Sequence, residues 1–424
     1  MDFEVIEDFY TNEKLYFARH GSGLRVYVSP KKFTKKYAII GTQFGSIDNT
    51  VGGQEMPDGI AHFLEHKLFE QPGGGNAFDE FSRTGASANA YTSFSSTCYL
   101  FSATRGFDEN LRILLDFVFR PYFTDENVAK EQGIIAQEIK MYDDEPGWRV
   151  FFNLLGGIYH NHPVRKDIAG TVDSIGQITP ETLTRCYSAY YHPSNMALVV
   201  VGDVDLQDLS KIVDEKIEAE KYANAPANVL EPRDAFSANE PPTVHSAKKE
   251  QKLAVSAPIF MLGFKDAAPT HDRMKREIAA NIAREMLFGK CSAFYQRLYE
   301  KGLINDSFDT EYSLDTTFAY ASIGGESPDP YAVRAEVADF LAGRAEINDV
   351  QPIKNMLIGQ FLRGFNSPER AARTVIDGAF RNVDVFKYAE TCEAVTRDDV
   401  IKCCEELFRS ENMAFSVIEP QKPE

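Results

Sequence analysis

Two histidines one helical turn apart open the chemistry of this chain: the segment reads His62-Phe63-Leu64-Glu65-His66. Residues 59–69 carry the apolar spacing of a helix, on which residues four apart share a face. Two imidazoles so placed match what a zinc ion takes from a helix. Glu65 lies about 100° around that helix from His66, displaced from the two nitrogens yet within reach of a water that such a metal would activate. It suits a general base. With 8 histidines in 424 residues, chance supplies this pattern on the order of 0.01 times per chain. A catalytic zinc needs a third protein ligand and keeps a fourth position for water. In the helical stretch 126–143, Glu131 and Glu138 stand seven apart and face one side, with Ile134, Ile135 and Ile139 as packing residues. One of these carboxylates can bind metal while the other supports it, and spacing alone leaves open which.

The elements that must position these groups alternate along the first half. Residues 24–28, 37–44 and 196–202 read as strands, 86–103 as further strands rich in Ser, Thr and aromatics, and 108–119 and 126–143 as helices. From 217 to 245 the text turns to Ala, Asn, Pro and Glu without apolar periodicity, with four prolines after Lys221, which is a linker signal. Beyond it the order restarts. At an offset of about 219, Leu68-Phe69 falls on Leu287-Phe288, residues 92–103 fall on 311–322, and Gly85 lies near Gly302. The expected fold class is therefore α+β in two copies: a zinc-bearing domain over 1–216, a linker over 217–245 and a second domain over 246–424. The length also exceeds what one hydrophobic core usually organises.

Composition narrows the partners. The chain has 63 Asp and Glu against 45 Lys and Arg, a net charge of −18. Such a surface repels phosphate backbones and anionic lipid alike, so neither nucleic acid nor membrane is expected, while a neutral or cationic peptide is permitted. Six scattered cysteines without a C-x-x-C pair fit free thiols in a reducing compartment. The first ten residues are acidic where a signal peptide is basic and apolar, and no apolar run approaches a bilayer span. A cytoplasmic location is the expectation.

With Glu138 standing 72 residues beyond His66, and with GASANAYTS at 85–93, HPVRKDIAGTVDSI at 162–175 and YYHPSNMALVVVGDVD at 190–205, the chain resembles the pitrilysin and insulinase family of zinc metallopeptidases. That family includes the mitochondrial processing peptidases, and H-x-x-E-H is its inverted zinc motif. The resemblance is strong over nearly all of the first half and general over the second. It implies His62, His66 and Glu138 as ligands of one Zn2+ per chain, Glu65 as the base that activates water, and Glu131 as a supporting carboxylate of the catalytic set. It also implies that Asn89 and Ala90 lie on an edge strand to which an extended peptide substrate adds by main-chain hydrogen bonds. The family fold has two similar domains per half, each a mostly antiparallel sheet packed by helices, and two halves close as a clamshell around a chamber. A chain of 424 residues would be one half.

The second copy departs from the family pattern in two ways. At the 219 offset His62, Glu65 and His66 fall on Asn281, Arg284 and Glu285, so the zinc set is not repeated. Active members carry a substrate-contacting Arg and, seven residues on, a Tyr; here those positions hold Tyr299 and Asp306, with Arg297 nearby at the wrong spacing. The resemblance therefore implies a zinc-bearing subunit of a bacterial heterodimer whose related partner supplies Arg and Tyr, nearest to the subgroup named for elongation factor P modification; a homodimer would carry two zinc sites and no such pair. The implied activity is a zinc-dependent metalloendopeptidase, with a non-catalytic scaffold or peptide-binding subunit as the alternative. His160 and His162, Gly73 to Gly75 and Cys98 read as structural, since none has the companions that metal, phosphate or nucleophilic chemistry requires.

Overall fold

The computed structural model of the chain describes residues 1–7, 10, 13–223, 233–343 and 347–421. They form two compact units. The first comprises Met1–Gln137, Asp167–Glu231 and Gln360–Lys387, the second Glu138–Lys166, Pro232–Gly359 and Tyr388–Glu424.

In the first unit the strands are β1 (Glu4–Glu7), β2 (Lys14–Arg19), β3 (Arg25–Pro30), β4 (Lys36–Thr42), the short pair β5 (Thr50–Val51) and β6 (Gln54–Glu55), β7 (Ser87–Thr92), β8 (Thr97–Ala103) and β9 (Met196–Gly202). Apart from β5 and β6 they make one sheet in the order β1-β2-β3-β9-β4-β8-β7. Only β3 and β9 pair in parallel. The central strand β9, MALVVVG, is buried at every residue, as a strand covered on both faces must be, which is why it reads as a continuous apolar run. In the second unit β10 (Lys248–Leu253), β11 (Ile259–Asp266), β12 (Asp309–Leu314), β13 (Ala319–Glu326) and β14 (Met413–Pro420) form a sheet in the order β10-β14-β11-β13-β12. Here again one pair, β10 with β14, is parallel. The order β3-β9-β4-β8-β7 is thus repeated strand for strand, and both domains are α+β with mostly antiparallel sheets, as expected. A single offset does not serve the whole repeat, however. From Met196 to Met413 the shift is 217 and from Lys36 to Ile259 it is 223, because the connections between equivalent elements differ in length.

Five helices matter for the site and its support: α1 (Ile60–Leu68), α2 (Ala77–Thr84), α3 (Phe107–Phe119), α4 (Asp125–Asp143) and α5 (Pro146–Ile158). The helix α4 runs unbroken past Gln137, where the first unit's segment ends. Its stripe of Val128, Ile135 and Ile139 is buried, whereas Ile134 is 45% exposed and does not pack as the sequence reading expects. At 100° per residue Ile134 falls on the far side of the Glu131–Glu138 line from Ile135 and Ile139, outside the apolar stripe.

The division into units is not sequential. The helix α5, from the first half of the sequence, packs on β10, β11 and β14, while the helix Pro368–Arg381, from the second half, packs on β4 and β9. Both seats use a glycine. A Cβ at Gly263 on β11 would lie 2.7 Å from Ile158 Cδ1 and 2.8 Å from Leu154 Cδ2, and one at Gly41 on β4 would lie 3.0 Å from the Phe380 ring and 3.1 Å from Ile376 Cδ1. Bare backbone at these points lets each helix approach its sheet closely. An amphipathic pattern tells which helix face is apolar but not which sheet it covers, so the sequential boundaries at 216 and 246 do not anticipate this exchange. Of the expected linker, residues 224–232 lie outside the described residues. The stretch after them is anchored in the second unit: Glu240 accepts hydrogen bonds from the backbone N–H of His160, Asn161 and His162 at 2.8, 2.7 and 2.8 Å and pairs with Lys265 at 2.5 Å.

Candidate metal centre

On α1 the buried residues are Ile60, Ala61, Phe63, Leu64, Glu65, Lys67 and Leu68, so the helix is fixed on its apolar face and turns His62 and His66 to its half-exposed side. Their rings meet edge to face with centroids 4.6 Å apart. The structure brings Glu138 of α4 to them: His62, His66 and Glu138 each offer a ligand atom, and these atoms all lie within 4.8 Å of one another. Two imidazoles and one carboxylate are the donor set of a catalytic zinc site, with a position to spare. Among the described residues this is the one group of three or more such side chains so arranged.

Around the ligands the polar groups interlock. Glu131, one heptad before Glu138, lies with Oε1 3.1 Å from His66 Nδ1, which orients the ring and leaves Nε2 as its other donor. Burial pushes the Glu131 carboxyl up, but the hydrogen bond and charge of His66, with Lys67 and Lys130, outweigh it and hold the group below its ordinary value. Lys67 is fully buried. Its Nζ pairs with Glu70, lies 3.1 Å from the Asn127 carbonyl and 3.7 Å from Glu131 Oε2. Glu65 is 8% exposed, and Thr92 Oγ1 donates to its Oε2 at 2.6 Å. On the other side of the cluster Tyr142 donates from its hydroxyl to Glu138 Oε1 at 2.7 Å.

The strand that ends at Thr92 is β7, the last strand of its sheet, paired on one side with β8 through Asn89↔Leu100 and Ala90↔Tyr99. Asn89 and Ala90 are therefore on a sheet edge beside α1. The residues aligned with the metal set behave differently. Arg284 binds Asn281 Oδ1 at 2.9 Å, Glu285 Oε1 at 2.8 Å and Thr310 Oγ1 at 2.7 Å, so a guanidinium stands among those side chains. Tyr299 is 50% exposed, Arg297 pairs with Glu336 at 3.5 Å and lies over the Phe294 ring, and Tyr312 is buried with its hydroxyl on Asp266 at 2.7 Å.

Three supporting residues went unread in the sequence: Lys67, Thr92 and Tyr142. Tyr142 stands four after Glu138, a spacing that sets the two on one helix face, and Lys67 adjoins the motif. Thr92 had no such signal, because its partner is 27 residues away on another element.

Residues 51–172, which hold the whole cluster, match the family model described as insulinase, peptidase family M16, and residues 177–351 match the one described as the peptidase M16 inactive domain. An uncharacterized zinc protease of Bacillus subtilis, YmfH, is 41% identical over 422 residues, covering 96% of this chain and 97% of its own. The crystal structure of a protein described as an M16-like peptidase, from Alicyclobacillus acidocaldarius, is 34% identical with a TM-score of 0.88, covering 99% of both chains. The periplasmic protease PqqL of Escherichia coli, 15% identical, shares the fold with a TM-score of 0.73 over 98% of this chain and 48% of its own. With its inverted zinc motif, its duplicated sheet and a full-length relative at 41% identity, the chain belongs to the insulinase family, peptidase family M16.

Proposed function

We propose that this chain is a zinc-dependent metalloendopeptidase that cleaves peptides or unfolded segments. The observation that carries the reading is the convergence of His62, His66 and Glu138 beside a Glu65 whose carboxylate is held by Thr92. Those three residues would hold the ion, and zinc bound there supplies a Lewis acid that lowers the pKa of water and polarises a peptide carbonyl. Glu65 takes the proton of the attacking water and delivers it to the departing amine. Thr92 engages Oε2 of that carboxylate and so holds the proposed base in place. Glu131 keeps His66 in the tautomer that presents Nε2. The open edge of β7 at Asn89 and Ala90 takes the substrate as an added strand, so register comes from main-chain hydrogen bonds.

The fold likeness to about half of a longer protease chain supports reading this chain as one half of a two-part enclosure. Tyr299 and Asp306, where an Arg and a Tyr are expected, support a related partner subunit as the source of those two residues. No described helix is long and apolar enough to cross a membrane, and all six cysteines are free thiols, which favours a reducing compartment such as the cytoplasm. The test is cleavage of an unstructured basic peptide by the zinc-loaded chain, alone and with the related subunit recovered by co-purification. Turnover about 10² to 10³ higher in the paired sample is expected if the partner supplies preorganised donors near the scissile carbonyl; no turnover in either sample contradicts the enzyme reading and favours a scaffold.

A further inference from the structure

The helix α4 ends one turn after Glu138, and the chain turns through Asp144 and Glu145 into α5. Two aromatic side chains bracket this elbow. Tyr142, on the last turn of α4, donates to Glu138 Oε1 at 2.7 Å. Its ring stacks on Trp148 with centroids 4.4 Å apart and planes 13° from parallel. Trp148 is the single tryptophan of the chain and sits in the first turn of α5, where its backbone N–H binds the Glu145 carboxylate that caps the helix. Its ring also meets Phe152 at 5.1 Å, and Arg149 reaches back to Asp143 at 3.4 Å. The helix α5 is itself seated on β11 by Leu154 and Ile158 against Gly263. The indole is thus fixed to a packed helix, and the phenol is fixed to the indole.

A carboxylate on a side chain as long as glutamate's rotates freely unless one oxygen is tied, and outer hydrogen bonds of this kind orient metal ligands. We propose that Tyr142 is a positioning residue for Glu138, with the Trp148 ring as its rest, and that Trp148 emission reports occupancy of the site. The inference rests on the reading of His62, His66 and Glu138 as a metal site. The phenol's hydrogen bond to Oε1 restricts the rotation of the carboxylate that the structure brings to the two histidines. A dication arriving at that carboxylate changes the field at the phenol, and the indole stacked on the phenol registers the change.

The experiment titrates metal-free protein with zinc and separately with cobalt, reading Trp148 emission, affinity against a chromophoric chelator and the cobalt absorption bands. Wild-type protein is expected to change its emission with the stoichiometry of one ion. Tyr142→Phe keeps the stacked ring and removes the hydroxyl, so zinc affinity should fall about 10 to 100-fold, the cobalt bands should shift and the emission response should shrink. Trp148→Leu keeps the hydroxyl and removes its rest, and should lose affinity by a smaller factor; it carries the test if Tyr142→Phe fails to fold. Wild-type affinity and an unchanged cobalt spectrum in Tyr142→Phe would overturn the positioning role, and constant emission on zinc binding would overturn the reporter. Wild-type protein that takes up no zinc would instead overturn the metal reading itself.

Discussion

Replacing Glu240 by Gln tests whether the segment after the expected linker is locked to the second unit by buried charge. The wild-type carboxylate uses both oxygens. Oε1 faces the Lys265 ammonium at 2.5 Å and the His160 N–H at 2.8 Å, and Oε2 faces the Asn161 and His162 N–H groups at 2.7 and 2.8 Å. Glutamine keeps one accepting oxygen and points an NH2 at the other two donors. It also leaves Lys265, 5% exposed, with backbone carbonyls of Pro241 and Thr243 but no counter-charge at Oε1. Losing one partner of a buried ion pair costs about 3 to 5 kcal/mol; because the Asn161 N–H is exposed, the low end, about 3 kcal/mol, is expected. For a unit of about 200 residues that lowers the midpoint of its thermal transition by about 6 to 12 °C.

The pH dependence carries a sign. Burial pushes the Glu240 carboxyl up, but Lys265 and the three N–H groups more than offset this and hold it at about 2, against an ordinary 4.5. Lys265 is also held below its ordinary value, because burial outweighs the pull of Glu240; the pair is held together against desolvation on both sides, and we take the direction for Glu240, which four contacts support, as the one that governs acid behaviour. A carboxyl that binds its proton more weakly folded than unfolded contributes stability above the unfolded value and loses it as pH falls toward the folded one. The gap between wild type and Glu240→Gln should be full at pH 7 and close between about 4.5 and 2. Thermal melts followed by circular dichroism across that range read it. Equal midpoints at pH 7, or a gap of constant size down to pH 2, would refute the reasoning.

Glu131→Gln should leave the melting curve near wild type and reduce peptide turnover about 10 to 100-fold, since an outer partner of a ligand histidine is lost; unchanged turnover would make Glu131 a passive residue. Gly263→Ala places a methyl 2.7 to 2.9 Å from Ile158 and Leu154 and should destabilise by about 1 to 3 kcal/mol, read as a shift of the denaturant midpoint; a neutral result would mean that α5 is not closely seated on β11.

What the sequence revealed of this protein is what local spacing encodes. His62 and His66 announce themselves because four residues make one turn, and Glu131 and Glu138 because seven make nearly two. The strands β4 and β9 were legible because buried strands read as apolar runs, and β8 by its Thr, Ser and aromatic residues, whereas β1, mostly exposed, and β2, half exposed, at one end of the sheet carry too little pattern to be read. The exchange of α5 for the helix Pro368–Arg381 is a matter of which sheet an apolar face meets, and no periodicity encodes it. Ile134 shows the same limit on a smaller scale: apolar identity suggested packing, and its angle on α4 turned it outward. Thr92 holds the proposed base from a separate strand, a contact visible only once the sheet and α1 are assembled.

The most direct test of the central claim joins metal content to turnover in two variants. Wild-type protein should carry about one zinc per chain, His66→Ala should lose most of it, and Glu65→Gln should retain it while losing cleavage of an unstructured peptide under the conditions in which wild type cleaves. Full zinc in His66→Ala, or undiminished cleavage by Glu65→Gln, would contradict the account.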